Sequence, residues 1–290
     1  AKVQEGAKLA RENHVDLILA VGGGSVSDCC KVISAQTNLD EDIWGMQYTK
    51  HTLPTKFIPL GTIVTVFGTG SEMNNGAVIT HEDKKIKGAL WGAQADFAFL
   101  DPNYSMSVPF KQVISGAFDT LSHAMETYFG KPDENNLSDD INEAVMRSTI
   151  RNIRVLLTDH NNYAARSELA WASAMAENSI LKIGKVTDFQ CHMLEHQLGA
   201  YTNCNHGAGL AVLHPVLYRH ICEANTARFA RFAVNVWGID PEGKTEVELA
   251  HAGVEALAAF IKEIGLPTTF AELGIPADTD FAAIAKSTVR

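Results

Sequence analysis

Two short segments of this 290-residue chain constrain its fold most: Asp119-Thr-Leu-Ser-His123 and His192-Met-Leu-Glu-His196, the second followed by His206-Gly207. Residues four apart on an α-helix lie on one face, a turn above each other. If both segments are helical, Asp119 and His123 converge from one helix, and His192 and His196 converge from another. His206 follows the short polar turn Tyr201-Thr-Asn-Cys-Asn205. One carboxylate and several imidazoles arriving from separate elements form a donor set suited to iron(II), zinc or manganese. A catalytic metal is therefore expected. The plainer alternative is packing, since a lone histidine on an apolar helix face is more often a core residue than a ligand. His51, His81, His160, His220 and His251 lack such company and read as ordinary, and His214, before Pro215, reads as structural.

The surrounding periodicity changes after roughly the first third of the chain. Residues 3–13 make an amphipathic helix. Val15-Asp-Leu-Ile-Leu-Ala-Val21 is an apolar run suited to a buried parallel strand, and residues 26–34 have helical character. Residues 57–60, 77–80 and 97–100 read as further strands, with a charged turn, Glu82-Asp-Lys-Lys85, between the last two. After Val108-Pro109 the patterns are helical throughout, over about 110–129, 139–158, 163–179, 188–200, 208–237 and 246–264. An α/β nucleotide domain followed by an all-helical domain is expected, with the boundary near 102–109, drawn as 1–105 and 106–290. The metal candidates all fall in the helical half.

The glycine-rich stretches all fall in the other half. A strand, a glycine turn and then a helix offer bare backbone N–H groups and a helix N-terminus to a phosphate. Gly22, Gly23 and Gly24 permit close backbone approach, and Ser25 adds a hydroxyl. The sequence is neither G-x-G-x-x-G nor a P-loop, so taken alone it is also what any strand-ending turn provides. A second loop, Gly68-Thr-Gly-Ser-Glu72, falls at the same carboxyl edge of the sheet, where open α/β sheets bind ligands. Thr65, Thr69 and Asn74 are candidates to reach a cofactor there, and Lys87 to meet a negative group. Ordinary turn chemistry and a solvated lysine are the alternatives.

Composition narrows the partners. A net charge of -10 argues against nucleic acid and against an anionic membrane surface. Five cysteines without a CxxC pair argue against a disulfide framework and for a reducing cytoplasm. Cys191 and Cys204 lie beside proposed ligands but also suit small packing positions. No apolar run approaches the roughly 20 residues needed to cross a bilayer, and no signal peptide is read. The chain opens already in helical period, has no initiator Met and stops at Ser287-Thr-Val-Arg290 without a closing signal, so a piece of a longer protein is expected.

Together, GGGSVSD at 22–28, GTGSEMNNGAVIT at 68–80, FDTLSHAMETY at 118–128 and HMLEHQLGAYTNCNHG at 192–207 resemble the iron-containing (group III) alcohol dehydrogenase family, in particular its butanol-dehydrogenase-like branch. The motifs occur in the family's order over nearly the whole chain, and the last two are the specific ones. The resemblance implies a Rossmann-like N-terminal domain and a helical metal-binding C-terminal domain, an architecture of the dehydroquinate-synthase type. It implies hydride transfer between NAD or NADP and a small primary alcohol or aldehyde, butanol-like, with the metal polarising the substrate oxygen. Carried over by motif, the metal ligands are Asp119, His123, His192 and His206, with iron(II) first and zinc as the alternative. His196 matches an extra histidine near the site, a candidate proton relay or a structural residue. Gly23, Gly24, Ser25 and Asp28 match the pyrophosphate turn, and Thr65, Thr69, Asn74 and Lys87 match positions lining the cofactor. A homodimer or larger assembly is also implied. The chain departs from the family pattern in lacking a first strand–helix–strand unit, on the order of 30 or more residues, and the final helices. Rival readings are a glycerol or other polyol dehydrogenase, a dehydroquinate-synthase-like lyase, a helical His/Asp phosphohydrolase, and an inactive metal-binding fragment.

Overall fold

In the computed structural model, which describes residues 1–187 and 189–288, the described strands all lie before residue 100. The chain begins with α1 (Lys2–Glu12), β1 (Ile18–Gly22), α2 (Gly24–Gln36), α3 (Ile43–Tyr48) and β2 (Leu60–Val64). Then come β3 (Gly76–His81), β4 (Ile86–Trp91) and β5 (Phe97–Phe99). β1, β2 and β5 form a parallel sheet in the order β1-β2-β5, with Ile18 opposite Leu60 and Gly61 opposite Phe97. Ala20, Leu60 and Ala93 pack beneath it with Cys30 of α2, while Leu19, Val21, Phe97 and Phe99 remain exposed on the opposite side.

Two expectations for this half need correction. The strand anticipated at 57–60 begins only at Leu60, because Pro59 has no N–H to give a ladder and instead accepts from Ile18 N at 2.9 Å. The charged turn at 82–85 does not lead to residues 97–100. It closes a separate antiparallel hairpin, β3–β4, with Lys85 in the left-handed region at φ 48°, and β4 is a strand that the sequence pattern does not announce. Its glycine and lysine, Lys87-Gly88, weaken strand propensity, and cross-strand pairing with β3 overrides that.

The second half comprises α4 (Phe110–Tyr128), α5 (Leu137–Thr158), α6 (Tyr163–Glu177), α7 (Gln190–Thr202), α8 (His206–Ile221), α9 (Thr226–Asn235), α10 (Glu246–Glu263) and α11 (Phe281–Thr288). The helix anticipated over 208–237 is two helices, since the chain tightens into a short turn at Cys222–Asn225 and Asn225 caps α9 by accepting from Arg228 N. Side-chain caps also start α5, α6, α8 and α10, at Asn136, Asn162, Asn205 and Thr245.

α4 is the central helix, packed by α5, α6 and α8 and buried on every side from Ala117 to Tyr128. Phe118, Leu121 and Met125 belong to the main apolar cluster with Met146, Ile153 and Leu210. The same stretch also buries Asp119, Ser122, His123 and Glu126. Polar groups in such a core demand partners. One is His214, whose Nε2 meets Ser122 Oγ at 2.6 Å.

The two halves touch through glycine. A Cβ on Gly116 of α4 would lie 2.1 Å from Phe67 O, and one on Gly68 would lie 2.8 Å from Gly116 Cα. Ser173 Oγ of α6 accepts from Gly68 N (2.8 Å) and Gly70 N (3.2 Å). Gly116→Ala is therefore expected to destabilise the fold by about 1–3 kcal/mol of overpacking, read as a lowered urea midpoint. A wild-type midpoint would contradict the contact. A second test concerns pH. Burial holds the His214 imidazole down to about 4, against an ordinary value near 6.5. The unfolded chain then binds a proton that the folded one refuses, so stability is lost as pH falls from about 6.5 toward 4. His214→Gln should show a smaller drop in Tm between pH 7 and pH 5 than the wild type, measured by calorimetry.

Candidate metal centre

α4 brings Asp119 and His123 to one spot because they are a helical turn apart. α7 presents His192 and His196 beside them. α7 ends at Asn203 in the left-handed conformation (φ 54°), a position where asparagine is tolerated. Two residues later the Asn205 side chain accepts from Ala208 N and starts α8. That tight reversal makes His206 the first residue of α8 and turns it back toward α7. Gly207 is needed there, since a Cβ would lie 2.1 Å from Ser115 O.

The ligand candidates meet at Asp119. Its Oδ1 lies 3.4 Å from His192 Nε2, 3.5 Å from His206 Nε2 and 3.7 Å from His123 Nδ1. Donors held about 2.0–2.2 Å from a common ion in a tetrahedron stand roughly 3.4 Å apart, so the spacing is that of a metal's ligands. Asp119, His123 and His192 are also buried as a group. Asp119 Oδ1, His123 Nδ1 and His192 Nε2 are buried without a hydrogen-bond partner. Each such group costs on the order of 1–3 kcal/mol if left unsatisfied. A divalent cation among them answers all three, so these residues fit the group that the motifs imply.

Two carboxylates missed by sequence reading complete the arrangement. Glu126 bonds His192 Nδ1 and also accepts from Cys191 N (2.6 Å) and His192 N (3.1 Å). Glu195 bonds His206 Nδ1 and accepts from Lys87 Nζ at 3.1 Å. An imidazole that donates from Nδ1 to a carboxylate presents the Nε2 lone pair to a metal. The signal was present in the motifs: Glu126 stands three residues after His123, and Glu195 three after His192, the spacing that shares a helix face. Burial would raise the Asp119 carboxyl, but His123, His206 and His192 outweigh it and hold the group well below the usual carboxylate range. Burial would lower His192, but Asp119 and Glu126 outweigh it and raise the imidazole to about 10. Both shifts describe a negatively charged pocket that attracts a cation, whether a proton or a metal ion.

His196 stands apart from the Asp119 group. It clusters with Glu195 and His206, its Nδ1 has no partner, and burial holds its imidazole well below 6.5 and therefore neutral. Of the cofactor candidates, Gly23, Gly24 and Ser25 open α2 directly after β1, and Thr65 N bonds Gly22 O at 3.0 Å. Thr69 lies against Gly24, where a Cβ would come within 2.4 Å of its Oγ1. These five residues therefore gather at the carboxyl ends of neighbouring parallel strands. Asp28 and Asn74 point elsewhere. The Asp28 carboxylate accepts from Ser71 Oγ (2.5 Å) and Val78 N (2.8 Å). Asn74 accepts from Lys31 Nζ at 3.0 Å and donates to Gly70 O and Glu177 O. Both tie the second loop to its neighbours. Lys87 reaches the metal pocket, as described above.

His192→Ala and His206→Ala are each expected to lose bound metal, measured by mass spectrometry of the protein after dialysis against iron(II) or zinc. Full occupancy in either variant would overturn its assignment as a ligand.

Comparison with known proteins identifies the family. A family model described as iron-containing alcohol dehydrogenase matches residues 1–102, and one for the C-terminal part of the Fe-containing alcohol dehydrogenase family matches residues 113–290. NADH-dependent butanol dehydrogenase A of Clostridium acetobutylicum is 37% identical over 99% of this chain and 74% of its own length. The NADPH-dependent aldehyde reductase YqhD of Escherichia coli is 35% identical over 92% of this chain and 70% of its own. The crystal structure of NADH-dependent butanol dehydrogenase A from Thermotoga maritima superposes with a TM-score of 0.92 at 32% identity, covering 99% of this chain and 71% of that one. The chain belongs to the iron-containing alcohol dehydrogenase family.

Proposed function

We propose that this chain is a metal-dependent, NAD(P)-linked alcohol dehydrogenase and aldehyde reductase acting on a small primary alcohol or aldehyde of the butanol type. The observation that carries this reading is the convergence of Asp119, His123, His192 and His206, with donor atoms of the first three buried and unpartnered, in a chain that also sets a glycine-rich helix N-terminus at the end of a parallel strand. Butanol dehydrogenases and an aldehyde reductase among its relatives support the reaction.

These four residues would hold a divalent cation, iron(II) by preference, which would supply Lewis acidity toward the substrate oxygen. NADH or NADPH held at the glycine turn would supply the hydride in reduction and take it up in oxidation. The chain's own part is positional and electrostatic. Glu126 and Glu195 hold His192 and His206 by Nδ1 so that each Nε2 faces Asp119. With Asp119 as the one anionic ligand, a bound divalent ion would keep part of its charge for the substrate oxygen. Gly23, Gly24 and Ser25 offer the first N–H groups of α2 to the pyrophosphate, and Thr65 and Thr69 line the same edge. The reading takes His196 as the residue that takes up the alcohol proton or returns it, which its partner-free Nδ1 supports.

The reading also takes residues 1–105 and 106–290 as two domains, supported by the last strand ending at Phe99 and the long α4 beginning at Phe110. It takes the enzyme to be a cytoplasmic homodimer. Its five free cysteines suit a reducing compartment, and no described helix is long and apolar enough to cross a membrane. Light scattering reads the assembly directly.

The test is anaerobic purification, reconstitution with iron(II) or zinc, and NADH and NADPH oxidation with butyraldehyde. Turnover that needs the metal and disappears with a chelator is expected. Metal uptake without turnover on butyraldehyde or other short aldehydes, with either nucleotide, would overturn the proposed reaction.

A further inference from the structure

Behind His206, away from Asp119, three elements meet at one carboxylate. Glu195 of α7 is fully buried; its Oε2 bonds His206 Nδ1 of α8 and lies 3.1 Å from Lys87 Nζ of β4. Lys87 Nζ itself lies 3.4 Å from His206 Nδ1. The space is shaped around this group. A Cβ on Gly199 would come to 3.2 Å from Glu195 Oε1 and 3.4 Å from Lys87 Nζ, and one on Gly209 to 3.0 Å from Glu195 Cγ. Glu195, His196 and His206 also have donor atoms within 4.8 Å of one another, which is a ligand set in its own right beside the Asp119 group. Lys87 Nζ stands beside two members of that second set, Glu195 and His206.

We propose that Glu195 and Lys87 are positioning residues of the metal centre. Glu195 accepts the Nδ1 proton of His206 and so sets the tautomer whose Nε2 lone pair faces the ion at Asp119. Lys87 keeps that carboxylate in place and fills the position a second ion would take, so the centre holds one metal. The inference rests on the metal reading above. Its physical basis is the two-nitrogen chemistry of imidazole. A ring that donates from one nitrogen has its lone pair on the other, and a partner at the donating nitrogen fixes both tautomer and orientation. Lys87 lies on the β3–β4 hairpin and Glu195 on a helix of the other half, so the same ion pair ties the hairpin to the metal ligand. Gln197 Nε2 donates to Lys87 O at 3.1 Å and steadies the strand that carries it.

Wild type, Glu195→Gln, Lys87→Met and Lys87→Arg are loaded anaerobically with cobalt(II). Affinity is read by competition with a chelator of known strength, stoichiometry by mass spectrometry, and coordination by the visible cobalt spectrum. Glu195→Gln and Lys87→Met are expected to bind the metal about 10–100-fold more weakly, as loss of a ligand's carboxylate partner does. Glu195→Gln should also alter the cobalt bands, and Lys87→Arg should restore affinity toward the wild type. If Glu195→Gln does not fold, Lys87→Met carries the test, because Lys87 is partly exposed. Wild-type metal affinity in the folded variants, with only Tm reduced, would overturn the positioning role. Two metals per wild-type chain would overturn the place given to Lys87. A folded wild type that takes up no metal overturns the Asp119 assignment itself, and this inference with it.

Discussion

A carboxylate buried among three imidazoles, with the oxygen that faces them unpaired, is the constraint around which the helical half is arranged. Asp119 sits on the innermost helix, where an uncompensated charge is expensive. Each element around it supplies part of the answer. α4 contributes His123, α7 contributes His192, and the reversal at Asn203 and Asn205 returns His206 to the same point. The imidazoles are in turn held from behind by Glu126 and Glu195. Apolar packing builds the core, but the placement of polar groups inside it determines which helix faces which.

The α/β half is fitted to that centre by contacts that tolerate little change. Gly68 and Gly116 allow backbone to meet backbone, and the Ser173 hydroxyl takes up two N–H groups of the second glycine loop. That loop is therefore anchored to the helical half, while Gly23, Gly24 and Ser25 keep the start of α2 at the sheet edge. Within the α/β half, Asp28, Asn74 and the fully buried Lys31 form a polar network under the loops. Lys31 lies in a setting where burial lowers its amine to about 8 despite nearby carboxylates. Such a network favours one arrangement of the loops over others, because breaking it leaves buried charge unpaired.

Helix periods were readable because residues in contact along a helix are three or four apart in sequence. The Asp119/His123 and His192/His196 pairs, the glycine turns and the switch from alternating to helical texture all follow from such local spacing. Hydrophobic pattern alone did less well where neighbours decide. β4 is a strand because β3 pairs with it. The long pattern over 208–237 breaks because Asn225 caps a new helix, and Pro59 delays the start of β2.

Local spacing carried the division into an α/β half and a helical half, the family resemblance and the kinds of donor present, since each is written within a few residues. Which of those donors meet was settled by the packing of distant elements. It brought Asp119 within 3.5 Å of His206 Nε2 across 87 positions of sequence, turned Asp28 and Asn74 inward, and drew Lys87 from the hairpin to Glu195. Such contacts depend on how helices and loops close over one another. That closure is a balance of packing and buried polar pairing spread over the whole chain, and no short segment encodes it.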